Sequence, residues 1–151
     1  MSLFTKQRLI CLLLLGCIAG AVFLSYAAGQ KYRRLLFYFQ RTDGQTIGTE
    51  ERYVPHSAAH HPAVTVVEEL LLGPFRHEFL HLTDPDIPVN RCFVRKDAVY
   101  IDLPAQVLSP RVKTSDFHTA YRLLKKNIVT NCKDIRTVYL YIDGVLAYQK
   151  D

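Results

Sequence analysis

A chain of 151 residues that is 49% hydrophobic and 22% charged has room for one ordinary domain and an accessory segment, not for two full domains. Seven glycines and seven prolines without a low-complexity run exclude a collagenous or largely disordered chain, and a mean hydropathy of +0.02 excludes a polytopic membrane protein. The formal charge of +5 suggests nucleic acid or an anionic surface only until the charges are located. Lys6, Arg8, Lys31, Arg33 and Arg34 are the only charged side chains in the first 34 residues, and they carry the whole excess. From Leu35 onward fourteen basic side chains balance fourteen acidic ones. A neutral domain without Trp lacks the clustered cations that a phosphate backbone demands, so no nucleic-acid partner is expected.

Leu9 to Ala28 contains no charge across twenty residues and is flanked by basic side chains. At about 1.5 Å per residue such a helix spans about 30 Å, the hydrocarbon thickness of a bilayer. The favoured reading is an uncleaved signal anchor within residues 1–30, because the apolar run exceeds that of a cleavable signal peptide. Two alternatives compete with it: cleavage after Ser25-Tyr26-Ala27, and lipidation of Cys17, which follows Leu14-Leu15-Gly16 as in a loose lipobox. All three place residues 31–151 outside the cytoplasm, since a downstream domain of this length translocates largely regardless of flanking charge. Cys11 and Cys17 lie in this segment, leaving Cys92 and Cys132 as either one disulfide or two buried thiols.

In chain order, Leu35 to Phe39 predicts a buried strand. Arg41 to Glu51, with Asp43-Gly44 and Gly48, predicts a turn or loop, and Arg52 to Pro55 an edge-like extended piece. Pro62 suits a first helical turn, and Ala63, Val66, Val67, Leu70 and Leu71 recur at helical spacing until Gly73-Pro74. Arg91–Arg95 and Ala98–Leu103 predict a hairpin about Lys96-Asp97; a two-residue turn sets Val94 against Val99 and Cys92 against Ile101. Phe117, Ala120, Tyr121, Leu124 and Ile128 form the apolar stripe of a second helix, capped by Thr114 or Ser115 with Asp116 in its favourable first turn. Thr137–Ile142 and Val145–Tyr148 about Asp143-Gly144 predict a terminal hairpin of type I′. The expected architecture is α+β: a small, mostly antiparallel sheet with two helices packed on one face, after an N-terminal transmembrane helix.

Leu70-Leu71-Leu72-Gly73-Pro74, Ile87-Pro88, Asp97-Ala98-Val99-Tyr100-Ile101-Asp102-Leu103 and Val138-Tyr139-Leu140-Tyr141-Ile142-Asp143-Gly144 together resemble the GerMN domain, the sporulation and spore-germination domain of bacterial envelope proteins. The resemblance runs from Leu35 to Tyr148 in a single copy. It implies a fold similar to the ring-building modules of secretion and sporulation channels, hence a non-catalytic assembly role with envelope proteins or second copies of the chain as partners. The implied location is the bacterial cytoplasmic membrane, single-pass, with the domain facing the periplasm or extracytoplasmic space.

The strongest enzyme-like pattern is His77-Glu78-Phe79-Leu80-His81, an HExxH that on a helix sets two imidazoles one turn apart for zinc, with Glu78 as general base. Gly73-Pro74 before it and Asp84-Pro85 to Pro88 after it leave little room for that helix. A third ligand would have to come from Asp84, Asp86 or His118. A zinc-dependent hydrolase is therefore the alternative, and no metal, cofactor or catalytic residue is assigned. His56, His60 and His61 form a second cluster; with His77 and His81 they motivate a test of acid-dependent association near pH 6. Ser109 and Ser115 belong to no triad spacing, and Asp97 and Asp102 are expected as turn and strand-face residues. Tyr32, Tyr38, Tyr139, Tyr141 and Tyr148 promise an aromatic-rich sheet, which serves either packing or an interface. A third possibility, a module for cell-wall glycan or a small ligand, requires an aromatic-lined groove.

Overall fold

The computed structural model describes residues 3–27, 32–57, 59–85 and 87–148. They fall into two compact units divided after Tyr32. The first is the helix α1 (Leu3–Ala27), with exposed side chains from residue 10 to residue 24, Cys17 among them. No helix among the described residues is long and apolar enough to cross a membrane. The twenty-residue run read from the sequence ends at Ala28, outside those residues, as do the side chains of Ser25, Tyr26 and Ala27.

The second unit is α+β. It contains β1 (Tyr32–Gln40), β2 (Ile47–Pro55), α2 (Pro62–Leu71), β3 (Arg91–Arg95), β4 (Ala98–Leu103), a 3-10 turn at Ala105–Leu108, α3 (Phe117–Asn131), β5 (Thr137–Ile142) and β6 (Val145–Tyr148). The strands form two sheets, β1-β2 and β3-β4-β5-β6, where a single sheet is expected from the sequence. Within the larger sheet β3/β4 and β5/β6 are antiparallel, but β4 and β5 run parallel because α3 carries the chain back between them. The anticipated hairpin register is present: Val94 opposes Val99 and Cys92 opposes Ile101. In the terminal hairpin Asp143 and Gly144 both take positive φ, as a type I′ turn requires.

The polar stretch anticipated as loop ends earlier, because β2 begins at Ile47. Residues 41–46 turn, organised by Asp43, whose carboxylate accepts from the amides of Gln45 and Thr46. β2 then alternates, with Glu50 and Arg52 buried and their neighbours exposed. Strand period places i and i+2 on one face even when both carry charge.

Both helices are cut where local chemistry dictates. His61 caps α2 by accepting from the Ala63 amide, with Pro62 at the first helical position. Asp116 caps α3, accepting from the Thr119 amide at 3.0 Å; Thr114 and Ser115 lie upstream of the cap instead of forming it. The stripe of α2 is buried as anticipated. α3 buries Leu123 and Asn127 besides Ala120, Tyr121, Leu124 and Ile128, so its contact surface is wider than one stripe.

The two extra positions reflect how β1 is held. Asn127 accepts from the Tyr38 amide at 2.7 Å and donates to the Tyr38 carbonyl at 3.0 Å. Asn131 does the same for Leu36, at 2.9 and 2.8 Å. Four helical residues advance about 6 Å and two strand residues about 6.8 Å. Two asparagines four apart can therefore serve alternate residues of a strand edge, standing in for a neighbouring strand. Leu35, Phe37 and Phe39 from the opposite side of β1 join one core cluster with Val66, Leu70, Ile101, Leu124, Ile128, Val138 and Leu140.

Candidate functional site

The segment carrying HExxH is not a helix. Residues 77–81 run through a turn into two isolated bridges, Phe79 with Arg41 and His81 with Thr114. The Leu80 amide donates to the Gln40 carbonyl at 2.8 Å, and the Ser115 amide donates to the His81 carbonyl at 2.9 Å. The backbone is thus committed to pairing on both sides, and the imidazoles of His77 and His81 are not one helical turn apart. Glu78 pairs with Arg76 at 2.7 Å. Asp84, a candidate third ligand, is spent on the chain itself: it accepts from the amides of Arg111 and Val112 at 2.9 to 3.0 Å, and the Arg111 amide above all holds it below the usual carboxylate range. Asp86 lies outside the described residues. Among those residues no group of three His, Cys, Asp or Glu side chains is placed to hold a metal.

A buried ion cluster explains why this segment is extended. Arg52, only 3% exposed, donates to Glu50 at 2.6 and 2.8 Å, to the Glu69 carbonyl at 2.8 Å and to the Gly73 carbonyl at 2.6 Å. Glu50 in turn accepts from the amides of Phe75 and Arg76, and the Phe75 ring covers the guanidinium at 4.1 Å. The chain leaving α2 is pinned from Gly73 to Arg76 before it reaches His77. Gly73 itself has φ +86, and a Cβ there would lie 2.1 Å from Nδ1 of His81. Gly73→Ala is expected to destabilise the domain by about 2 kcal/mol, from left-handed backbone cost plus displacement of the ring. Urea titration checks this, and His81→Ala in the same chain should recover the ring's share.

The other sequence candidates disperse. His61 is occupied as a cap and lies 2.7 Å from Asp134 through Nε2; His56 and His60 are exposed beside it. Cys92 and Cys132 are both free thiols, so the bridge considered from the sequence is not formed. Cys92 sits on β3 opposite Ile101 and Cys132 closes the C-terminus of α3, the second within the core cluster and the first packed against it. Burial, with the Glu68 carboxylate adding, pushes the Cys92 thiol up to about 12, and burial raises Cys132 as well.

What the fold leaves open is the outer face of the four-stranded sheet. Phe93, Tyr100 and Tyr139 stand in register on three adjacent strands, with ring centroids 5.0 and 4.8 Å apart and planes within 11° of parallel. The spacing equals the strand separation, so each ring lies against the next. The next row holds Arg91, Asp102, Tyr141 and Leu146. Phe93 is 49% and Leu146 44% exposed. Asp102 turns away from Arg91 to accept from the Gly144 amide at 2.9 Å. A hollow of about 340 Å³ lies on this face among Arg91, Phe93, Tyr100 and Tyr141. The side chain of Tyr148 lies outside the described residues, and Tyr38 is taken up by Lys126, whose ammonium is 3.9 Å from its ring centre. Phe93 and Tyr100 were not among the tyrosines noted from sequence, although the hairpin register already implied that they meet.

A second hollow, about 410 Å³, opens beside the start of α3 among Leu82, Leu103, Val107, Tyr121, Leu124 and Ser115. The Ser115 hydroxyl is buried with no hydrogen-bond partner among the described residues.

This arrangement of strands and helices matches solved structures. The first GerMN domain of the sporulation protein GerM from Bacillus subtilis superposes with a TM-score of 0.55 at 17% identity, covering 74% of this chain and 85% of that one. The domain has the GerMN fold. The tandem GerMN domains of the same Bacillus subtilis protein give a TM-score of 0.58 at 14% identity, over 76% of this chain and 40% of that one. No protein-family model matches the sequence. An uncharacterized lipoprotein of Treponema pallidum (strain Nichols) is 43% identical over 86 residues, 57% of this chain. The match spans 64% of that relative's length. As in any GerMN-like domain at such low identity to solved structures, the likeness concerns the fold, and function has to be argued from the exposed surface.

Proposed function

We propose that this protein is a membrane-anchored, extracytoplasmic GerMN-like protein without catalytic activity, which takes part in protein–protein assembly in the cell envelope. Partners dock on the outer face of the four-stranded sheet. The observation that carries this reading is the stacked row of Phe93, Tyr100 and Tyr139, with Phe93 exposed and the two tyrosines half-buried, on a face that no described helix covers. Aromatic side chains supply large, rigid contact area and are enriched at the centres of interfaces. Anchoring rests on the N-terminal apolar run, and the lipoprotein relative favours a lipid on Cys17 over a retained membrane helix.

Photo-crosslinkers placed in intact cells at Phe93, Tyr139 and Leu146 test the docking face, with Arg122 and Lys133 on the helical side as comparators. A discrete protein captured from the sheet positions and absent from the helix positions is expected. Capture only from Arg122 and Lys133 would move the contact to the helices and overturn the assignment of the face.

A further inference from the structure

β3 is the edge of its sheet and pairs on one side only, with β4. Half of its backbone donors and acceptors therefore have no strand partner. On the outer face of this edge Arg91, Phe93 and Arg95 alternate, and Lys96 follows at the turn. Arg91 and Arg95 enter no ion pair among the described residues: Asp102, directly across from Arg91, is bonded to the Gly144 amide, and Arg95 faces Ala98. Asp102 lines the same hollow as Arg91 and is engaged by the Gly144 amide, while Glu68 acts on Cys92, whose side chain belongs to the opposite face. The edge thus joins a backbone ladder open on one side to two arginines that enter no ion pair among the described residues.

Resting on the assembly reading above, we propose that β3 accepts an added strand from a partner whose extended segment has acidic residues two before and two after an apolar or aromatic one. Carboxylates then meet Arg91 and Arg95, the central side chain lies on Phe93 and reaches the hollow beside Tyr100 and Tyr141, and main-chain bonds complete the sheet. A second copy of this chain is a poor occupant through the same edge, because like charges oppose one another when β3 meets β3. The alternation required of the partner follows from strand period, which returns side chains to one face every second residue.

The test titrates the full chain in detergent micelles with a short synthetic peptide bearing an acid-x-tyrosine-x-acid centre. Its comparators are a twin with lysine for both acids, a twin N-methylated on the edge-facing amides, and vesicles of anionic phospholipid. The expected result is binding of the acidic peptide alone, amide shifts concentrated on Cys92 to Arg95, and at least tenfold weakening (~1.4 kcal/mol) by Arg91→Glu with Arg95→Glu. That double variant should then bind the lysine twin. Equal binding of the N-methylated peptide, binding only to vesicles, or no peptide binding would each overturn strand addition. Sheet-face crosslinks that persist in the double variant would leave the assembly reading standing while this proposal falls.

Discussion

Replacing Arg52 by methionine is expected to destabilise the domain by about 3–5 kcal/mol, the usual cost of removing one partner from a buried ion pair. The change strands buried Glu50 without its countercharge and leaves the Gly73 carbonyl without its donor. Glu50→Gln should cost less, since an amide oxygen still accepts from the Phe75 amide and from the guanidinium. The effect should also be local in origin. Hydrogen exchange from Gly73 to Leu80 should accelerate in the methionine variant before the four-stranded sheet loosens, because Arg52 and Glu50 together bind the backbone of residues 73, 75 and 76. Denaturant unfolding measures the first expectation and amide exchange the second. A loss under about 1 kcal/mol would mean that the pair is hydrated, as exposed pairs are.

Asn127→Leu is expected to cost about 2–4 kcal/mol despite a better hydrophobic fit. The leucine leaves the Tyr38 amide and carbonyl without partners, and each unsatisfied buried group costs roughly 1–3 kcal/mol. Asn127 is 0% exposed, so water does not replace the amide there. Asn131 is half-buried, and Asn131→Leu should cost about half as much because solvent reaches Leu36 more readily. Thermal unfolding of both variants tests the order. A neutral Asn127→Leu would show that β1 is held by the burial of Leu35, Phe37 and Phe39 and not by the asparagine pair.

These two sites mark where sequence reasoning ran out. Glu50 reads as the polar end of a loop and Arg52 as the start of an edge-like extended piece, because charge in a short stretch is ordinarily solvated. Their burial depends on the Phe75 ring and the end of α2, which lie some twenty residues away. Asn127 and Asn131 interrupt the apolar period of α3 and look like surface residues until β1 is set beside them. The same long-range pairing disposed of HExxH. A local pattern proposes a zinc helix, whereas the bridges to Arg41 and Thr114 and the pinned Gly73-Pro74 turn hold the segment in a turn followed by two bridges.

The sequence by itself determined the local elements: the helix opened by Pro62, the apolar stripe of α3, the two hairpin turns, and the β3–β4 register that sets Phe93 against Tyr100. It also confined the net charge to the first 34 residues, since counting needs no coordinates. Only the tertiary structure decided that β1 and β2 form a sheet of their own, that β4 and β5 run parallel across α3, and that Tyr139 completes the aromatic row. Local periodicity records which face of an element is buried, but pairing partners are chosen by packing between segments far apart in the chain. The open face and the cationic edge where this protein is proposed to meet others are products of that second choice.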